Sequence, residues 1–545
     1  MMNENFATVL ETVADEAGDR VAIIHGDTRR TWAELDERAS RLAGFLSGRG
    51  VGHGDRVAIA MYNGPEYVEV LLATMKVRAM PVNVNHRYRA RELTEIFGDS
   101  SASALFVDAS LTGELARAEA PLLKTIVRFG EHEGGEDPLG GRAVPFAEAL
   151  AGEPMPRVPR SGDDHWLMFT GGTTGRPKGV LSRHTTLFSI AISNGYRVME
   201  AETPSDLEGL RASTRRLLEH PRRMTLLVPP PLMHATGVYT SFGALLAGGT
   251  VVYLTSRSYD PEELAELAVR HRATDLCLVG DVFARPLVAT LGRAAREGRP
   301  YDLSSLRRVF SVGVTWSAEV KEQLLAYCDA ILEDVIAASE GGPFARSVTT
   351  RRTGRVRSTF ELMPGARVLD DEGRDVEPGS GTVGKLAAPS STEVRYLDDP
   401  EKSAATFVDI DGTRYVMPGD LATLQKDGSL VLLGRGSRVI NTGGEKVFAE
   451  EVEQVIARCP GVADVIVVGV PDEHWGHRIA AVVSREPGAG EDLDAETIRN
   501  AVAAELAGYK KPRDVVFVER VRRSPSGKAD LAWARDAAAR APQAG

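Results

Sequence analysis

The chain of 545 residues is 43% hydrophobic and 26% charged, an ordinary globular composition that excludes a disordered or fibrous class. Its length allows about two to four folding units around a large core. The 65 basic and 76 acidic residues leave a net charge of −11 with no long block of either sign, so the concentrated basic surface needed for nucleic acid is missing. Cys277, Cys328 and Cys459 are isolated. They suit a reducing compartment and form neither a disulfide framework nor a zinc pattern. The start, Met1-Met-Asn-Glu-Asn-Phe6, lacks the basic and then apolar run of a signal peptide, and no apolar run has the length of a membrane span. A cytoplasmic protein is expected.

Residues 20 to 110 alternate between strand and helix patterns. Arg20 to His25 and Gly54 to Ala60 read as strands. Thr31, with Glu34 three residues on, reads as the N-cap of a helix carrying Leu35, Ala39, Leu42, Ala43 and Leu46 on one face. Glu66 to Met75 reads as a second helix. This alternation predicts an α/β architecture with a largely parallel, buried sheet. Residues 128 to 162, with paired glycines among acids and prolines, read as surface loops.

Trp166 to Phe169 then reads as a short buried strand, followed by Thr170, Gly171, Gly172, Thr173, Thr174, Gly175, Arg176, Pro177 and Lys178. Glycines bring backbone amides close to a polyanion, threonine hydroxyls add donors, and Lys178 adds a compact positive charge. The spacing is not that of a Walker A loop, because Arg176 and Pro177 separate Gly175 from Lys178. The residues alone also allow a polar hairpin turning at Arg176-Pro177.

Residues 200 to 222 read as a charged helical excursion on the surface. His234 follows the strand-like Met224 to Val228 and a run of prolines, at a strand end where α/β proteins bind ligands. Thr250 to Leu254, Asp275 to Val279 and Arg308 to Gly313 read as further strands, with Gly280 to Pro286 and Gly313 to Ser317 as loops at their ends. Pro418-Gly-Asp420 is a turn whose carboxylate has the two acceptor oxygens that a ribose diol needs. Beyond residue 434, Ala463 to Val470 and Ile479 to Val483 read as strands alternating with helices in a compact α+β unit.

The stretch from Phe169 to Val180 resembles the phosphate-binding signature of the adenylate-forming superfamily, which includes acyl-CoA synthetases, adenylation domains and luciferases. The likeness runs over most of the chain and is nearest to fatty-acid or steroid-side-chain acyl-CoA ligases. It implies a large N-terminal domain of layered α/β subdomains, 1–433, and a small mobile α+β C-terminal domain, 434–545. It further implies that Thr170 to Gly175 and Lys178 hold phosphates, that Ser339 meets phosphate, and that Glu340 holds Mg²⁺. His234 matches a position at the acyl-adenylate site. Asp420 matches a ribose-binding position, Arg435 one that meets ribose or phosphate, and Ser437 the hinge. Gly443 and Gly444 match the pantetheine channel of coenzyme A, and Lys528 in Pro525-Ser-Gly-Lys528 matches the catalytic lysine.

One departure stands out. Ile336 and Ala337 replace the usual aromatic and glycine ahead of Ser339-Glu340. The ring that stacks on adenine is lost, and a loop otherwise free to take positive φ is constrained. The implied reaction joins a small-molecule acid to AMP from ATP with release of pyrophosphate, and then passes the acyl group to CoA. A carrier protein or an amine as acceptor stays open, as does diazotase-like activation of nitrite. No membrane span or nucleic-acid partner is implied, and a homodimer is compatible.

Overall fold

Thr31 and Glu34 form the reciprocal cap expected of them. The Glu34 amide donates to the Thr31 hydroxyl, and the Thr31 amide donates to the Glu34 carboxylate, which starts the helix Trp32–Gly48. Its Leu35, Ala39, Leu42, Ala43 and Leu46 are all buried. In this computed structural model the described residues are 2–540, without 132–136, 171–176, 315, 353–358, 392, 443–444, 473–475, 490–492, 507 and 526, and without the side chains of 190–194, 435, 437, 441, 445, 446 and 476.

Two large sheets share one layer of helices. In the first, Met80–Asn83, Arg56–Ala60, Ala104–Asp108, Thr125–Phe129 and Ala143–Pro145 run parallel, extended by the antiparallel hairpin His165–Thr170 and Lys178–Arg183. In the second, Val21–His25, Thr250–Tyr253, Thr225–Leu227, Asp275–Leu278, Arg308–Val312 and Ile331–Ala338 are parallel neighbours, and Gly341–Thr349 returns antiparallel. Side chains from both sheets meet the same helices in one core that includes Phe6, Leu42, Val57, Trp166, Phe242 and Tyr253. Trp166 sits edge-on to Phe6 and Phe242 at 5.9 and 5.4 Å between ring centres, a geometry that adds to its area burial. A third, antiparallel sheet carries Asp420–Leu424 and Leu430–Arg435.

Three local expectations are corrected. Gly280 to Pro286 is not a loop but the opening of the helix Gly280–Arg296, whose interior accommodates Pro286; its Phe283, Ala284, Leu287 and Leu291 pack into a second core, which outweighs the single backbone bond that proline removes. The stretch from 128 to 162 includes the strand Ala143–Pro145 and the helix Phe146–Leu150, seated by buried Phe146. Beyond residue 434, Val462–Asp472 and Gly476–Arg485 do not alternate with a helix but pair directly as an antiparallel hairpin. The helices Ala449–Ile456 and Ala495–Glu505 contribute to its apolar core.

The charged stretch at 200 to 222 forms the helix Leu207–Leu218, as expected. All three cysteines are free and buried. Among the described residues no helix is long and apolar enough to cross a membrane.

One buried histidine ties stability to pH. His184 opens the helix His184–Val198, is fully buried, and accepts the Phe6 amide on Nδ1 at 3.1 Å. Burial lowers its pKa to about 4. The folded value lies below the unfolded one, so the stabilisation is complete above about pH 6.5 and is lost as pH falls toward 4. At about pH 5 the loss amounts to about 2 kcal/mol from this group. Urea midpoints measured at neutral and mildly acid pH should fall together less steeply in His184→Gln, and an unchanged slope would rule out the linkage.

Candidate active site

Thr170 and Lys178 face each other across the hairpin that ends the first sheet. They flank Gly171, Gly172, Thr173, Thr174 and Gly175, which lie outside the described residues. Lys178 Nζ is 2.6 Å from Asp399 Oδ2. Asp399 also caps the helix Pro400–Thr406 through the Lys402 amide. The Lys178 ammonium, followed by the Lys402 amide, holds the Asp399 carboxyl below the usual carboxylate range. Lys402 stands 4.5 Å over the Tyr396 ring. Burial and the neighbouring Lys178 charge lower its pKa. Tyr396 in turn donates its hydroxyl to Glu340 Oε1 at 2.6 Å. One chain of contacts thus runs from Lys178 to Glu340.

Ser339 and Glu340 form the tip of the hairpin between Ile331–Ala338 and Gly341–Thr349. Ala337 lies within the first of these strands rather than in a loop, so the backbone constraint expected of it does not arise. The positive φ values fall on Gly341 and Gly342, at 154° and 111°. Ile336 is half-buried against a separate apolar cluster that contains Phe344 and Val416.

Asn83 connects this region to His234. Its side-chain amide donates to the Phe169 carbonyl at 2.8 Å and to the Met233 carbonyl at 2.6 Å, and its oxygen accepts the Phe169 amide at 2.6 Å. His234 follows Met233 and precedes the helix Ala235–Leu246. Its Nε2 is buried without a hydrogen-bond partner. Burial first, then the Lys528 charge, lowers its pKa to about 3. The ring is therefore neutral near neutral pH.

Asp420 and Arg435 are direct partners across an antiparallel pair, so both backbones stand at one edge of the third sheet. The side chains of Arg435 and Ser437, and all of Gly443 and Gly444, lie outside the described residues.

Lys528 closes a tight turn in which the Lys528 amide meets the Ser524 hydroxyl and the Ser524 amide meets the Lys528 carbonyl. Gly527 takes φ of +76°, and a Cβ there would lie 3.3 Å from Val279 of the large domain. The turn is thus seated directly on the end of a strand in the second sheet. Two cavities meet at Lys528. One, of about 860 Å³, is lined by Thr170, Lys178, His234, Ser339 and Glu340. The other, of about 2790 Å³, is lined by Gly313, Ile336, Asp420 and Gly434. The seven described side chains or backbones named from the motifs (Thr170, Lys178, His234, Ser339, Glu340, Asp420 and Lys528) therefore converge, although they are drawn from three sheets and a C-terminal turn.

The AMP-binding enzyme family matches residues 10–391, and the C-terminal domain that accompanies it matches 451–528. The chain belongs to the AMP-binding enzyme family. A 3-oxocholest-4-en-26-oate–CoA ligase from Rhodococcus rhodochrous is 36% identical to this enzyme over 541 residues, covering 98% of this chain and 95% of its own. A medium/long-chain-fatty-acid–CoA/3-oxocholest-4-en-26-oate–CoA ligase from Mycolicibacterium smegmatis is 37% identical, covering 98% and 96%. An anthranilate–CoA ligase solved with anthranoyl-AMP shares the fold with a TM-score of 0.82 at 22% identity, covering 99% of this chain and 98% of its own. This AMP-binding enzyme is an AMP-forming acid–thiol ligase: it makes an acyl-adenylate from ATP and a carboxylic acid and transfers the acyl group to CoA.

Asn83, Tyr396, Asp399 and Lys402 are absent from the motifs read in the sequence. Only Asp399 carried a local signal, as an aspartate directly ahead of Pro400 at a helix start.

Proposed function

We propose that this ligase activates an acid with a large apolar skeleton, of the medium- or long-chain or steroid-side-chain kind, and that its two domains, 1–433 and 434–545, divide the two half-reactions between them. The observation that carries the reading is the meeting of two cavities at Lys528. The smaller one continues past His234 along an apolar wall that includes Phe310, Val312 and Val335. Both relatives described above act, by name, on large acids.

Lys528 would draw the substrate carboxylate and the α-phosphate of ATP together and offset the charge that gathers on phosphate oxygen. Thr170, the loop Gly171 to Gly175, Lys178 and Ser339 would receive the departing phosphates. Lys178 would exchange Asp399 for them. Asp420 and Arg435 would hold the ribose. His234, neutral and buried, would shape the wall beside the reacting carbonyl. Rotation about Ser437 would then withdraw Lys528 and bring Gly443 and Gly444 to the pantetheine arm of CoA. The thiol of CoA titrates near pH 8.5, roughly, so attack on the acyl carbon needs no strong base on the protein.

The residues fit a magnesium ion of the kind held mainly by substrate phosphates. Glu340 offers one oriented carboxylate, and the described residues include no cluster of three or more His, Cys, Asp or Glu that would form an all-protein cage. Bound there, Mg²⁺ would neutralise phosphate charge. Tyr396 fixes the rotamer of that carboxylate. Tyr396→Phe should therefore raise the Mg²⁺ concentration for half-maximal AMP release about 10- to 100-fold, as the loss of other outer-shell partners does. Unchanged magnesium dependence would remove Tyr396 from this role.

The test of the whole reading is AMP release with ATP and Mg²⁺ across aliphatic, aromatic and steroidal acids, with and without CoA. Acid-dependent AMP and pyrophosphate in equal amounts, highest for the large acids, supports it. ADP as product, or preference for small aromatic acids, overturns it.

A further inference from the structure

The acid-side cavity does not end among apolar residues. Its floor is one face of the second sheet, made by alternate residues of adjacent parallel strands. Phe310 lies opposite Glu333 and Val312 opposite Val335 in the register, so Arg308, Phe310 and Val312 share a face with Glu333, Val335 and Ala337. Val312 and Ala337 stand at the strand ends near Ser339 and Lys528. Arg308 begins its strand, four residues or about 13 Å farther in. The helices His184–Val198 and Ala235–Leu246 roof the passage. They cross so closely that a Cβ on Gly195 would lie 2.0 Å from the Gly243 carbonyl.

The far end is charged, and its charges are unevenly satisfied. Arg197, from the roof, pairs with Glu333 at 3.0 Å. Asp275, opposite Arg308 in the sheet, is engaged by the Thr274 hydroxyl at 2.6 Å. Arg308 is different. Its Nε and Nη1 are buried without a hydrogen-bond partner, and the nearest paired carboxylate, Glu333, stands 3.7 Å from Nη1. A guanidinium whose role was only to complete the ion cluster would aim its fork at a carboxylate within hydrogen-bond distance. This one borders the cavity with Nε and Nη1 occluded and unpaired, and an apolar chain end pushed against it would leave them unpaired still.

We propose that Arg308 is a specificity-determining residue whose guanidinium donates to an uncharged oxygen, a ketone or hydroxyl, at the end of the substrate acid remote from the reacting carboxylate. The oxygen is uncharged because Glu333 and Asp275 already offset Arg197 and Arg308, so a second carboxylate would enter with its charge unbalanced. This inference rests on the reading of the cavity as the site of a large acid.

The test compares two polycyclic acids that differ only in a ketone against a methylene at the far ring, with AMP release as the readout. The wild type should prefer the keto acid by roughly 10- to 100-fold in kcat/KM, the range for losing a hydrogen bond to a charged group. In Arg308→Met that ratio should fall to about one, and in Arg308→Lys it should be intermediate. Equal rates for the two acids in the wild type overturn the proposal alone, as does a ratio that survives Arg308→Met. An acid with a carboxylate at the far end preferred over the ketone overturns the choice of an uncharged oxygen. Release of AMP from short straight-chain acids but from neither polycyclic acid overturns the large-acid reading itself.

Discussion

Lys528→Ala should abolish most acid-dependent AMP release, roughly 100- to 1000-fold in kcat, while leaving CoA thioester formation from a supplied acyl-adenylate near the wild-type rate. The expectation comes from where the lysine stands. It lines both cavities, on a turn that is anchored internally by Ser524 and seated on Val279 through Gly527. Its charge is felt at His234, whose pKa it helps to lower. On the proposed reading, a cation so placed would stabilise charge that develops in the first step, when phosphate oxygen and carboxylate are forced together. The second step expels AMP and leaves that cation no comparable task. Stopped-flow or quench assays of each half-reaction separate the two. Equal loss in both would mean that Lys528 serves general binding and not the adenylation step.

Much of this site could be read from the sequence because its chemistry is written on contiguous strings. Thr170 to Lys178, Ser339-Glu340, Pro418 to Asp420 and Pro525 to Lys528 are each a strand end with its turn, and such units keep their residues in order. The contacts with no trace in the sequence are assembled across the fold. Tyr396 reaches Glu340 from 56 positions away, and Lys178 meets Asp399 across 221. Periodicity and turn chemistry carry no information about such pairings. Arg308 is hidden differently. At the head of a strand it reads as an ordinary charged boundary residue, and only the folded chain shows that it lines a cavity beside Glu333. The misreading of Gly280 to Pro286 has a related cause. A glycine and a proline six positions apart look like loop punctuation, yet Gly280 sits at the helix start with φ of +53° and apolar packing holds the proline within the helix. Ala337 in place of glycine takes no positive φ, because the sharp backbone turn falls later, on Gly341 and Gly342.

Asn83→Leu should produce the largest loss of stability from a single residue at the site, about 2–4 kcal/mol, together with a fall in kcat/KM of roughly 100-fold. Asn83 ends the strand Met80–Asn83, and the parallel pairing with His165–Thr170 lies one step earlier, at Val82 opposite Leu167. From there the side-chain amide continues the ladder. It accepts the Phe169 amide, returns a bond to the Phe169 carbonyl, and spends its second N–H on Met233. Leucine has similar bulk but leaves those three buried backbone groups without this partner. Thr170, next to Phe169, and His234, next to Met233, lose a common anchor, so both the phosphate side and the acid side of the site should loosen together. Asn83→Asp separates the bonds: it retains an acceptor for the Phe169 amide but sets carboxylate oxygen against two carbonyls. Urea unfolding combined with AMP-release kinetics measures both effects. If Asn83→Leu kept wild-type kinetics despite a lowered unfolding midpoint, the anchor would be structural only, and the alignment of Thr170 with His234 would have to depend on another contact.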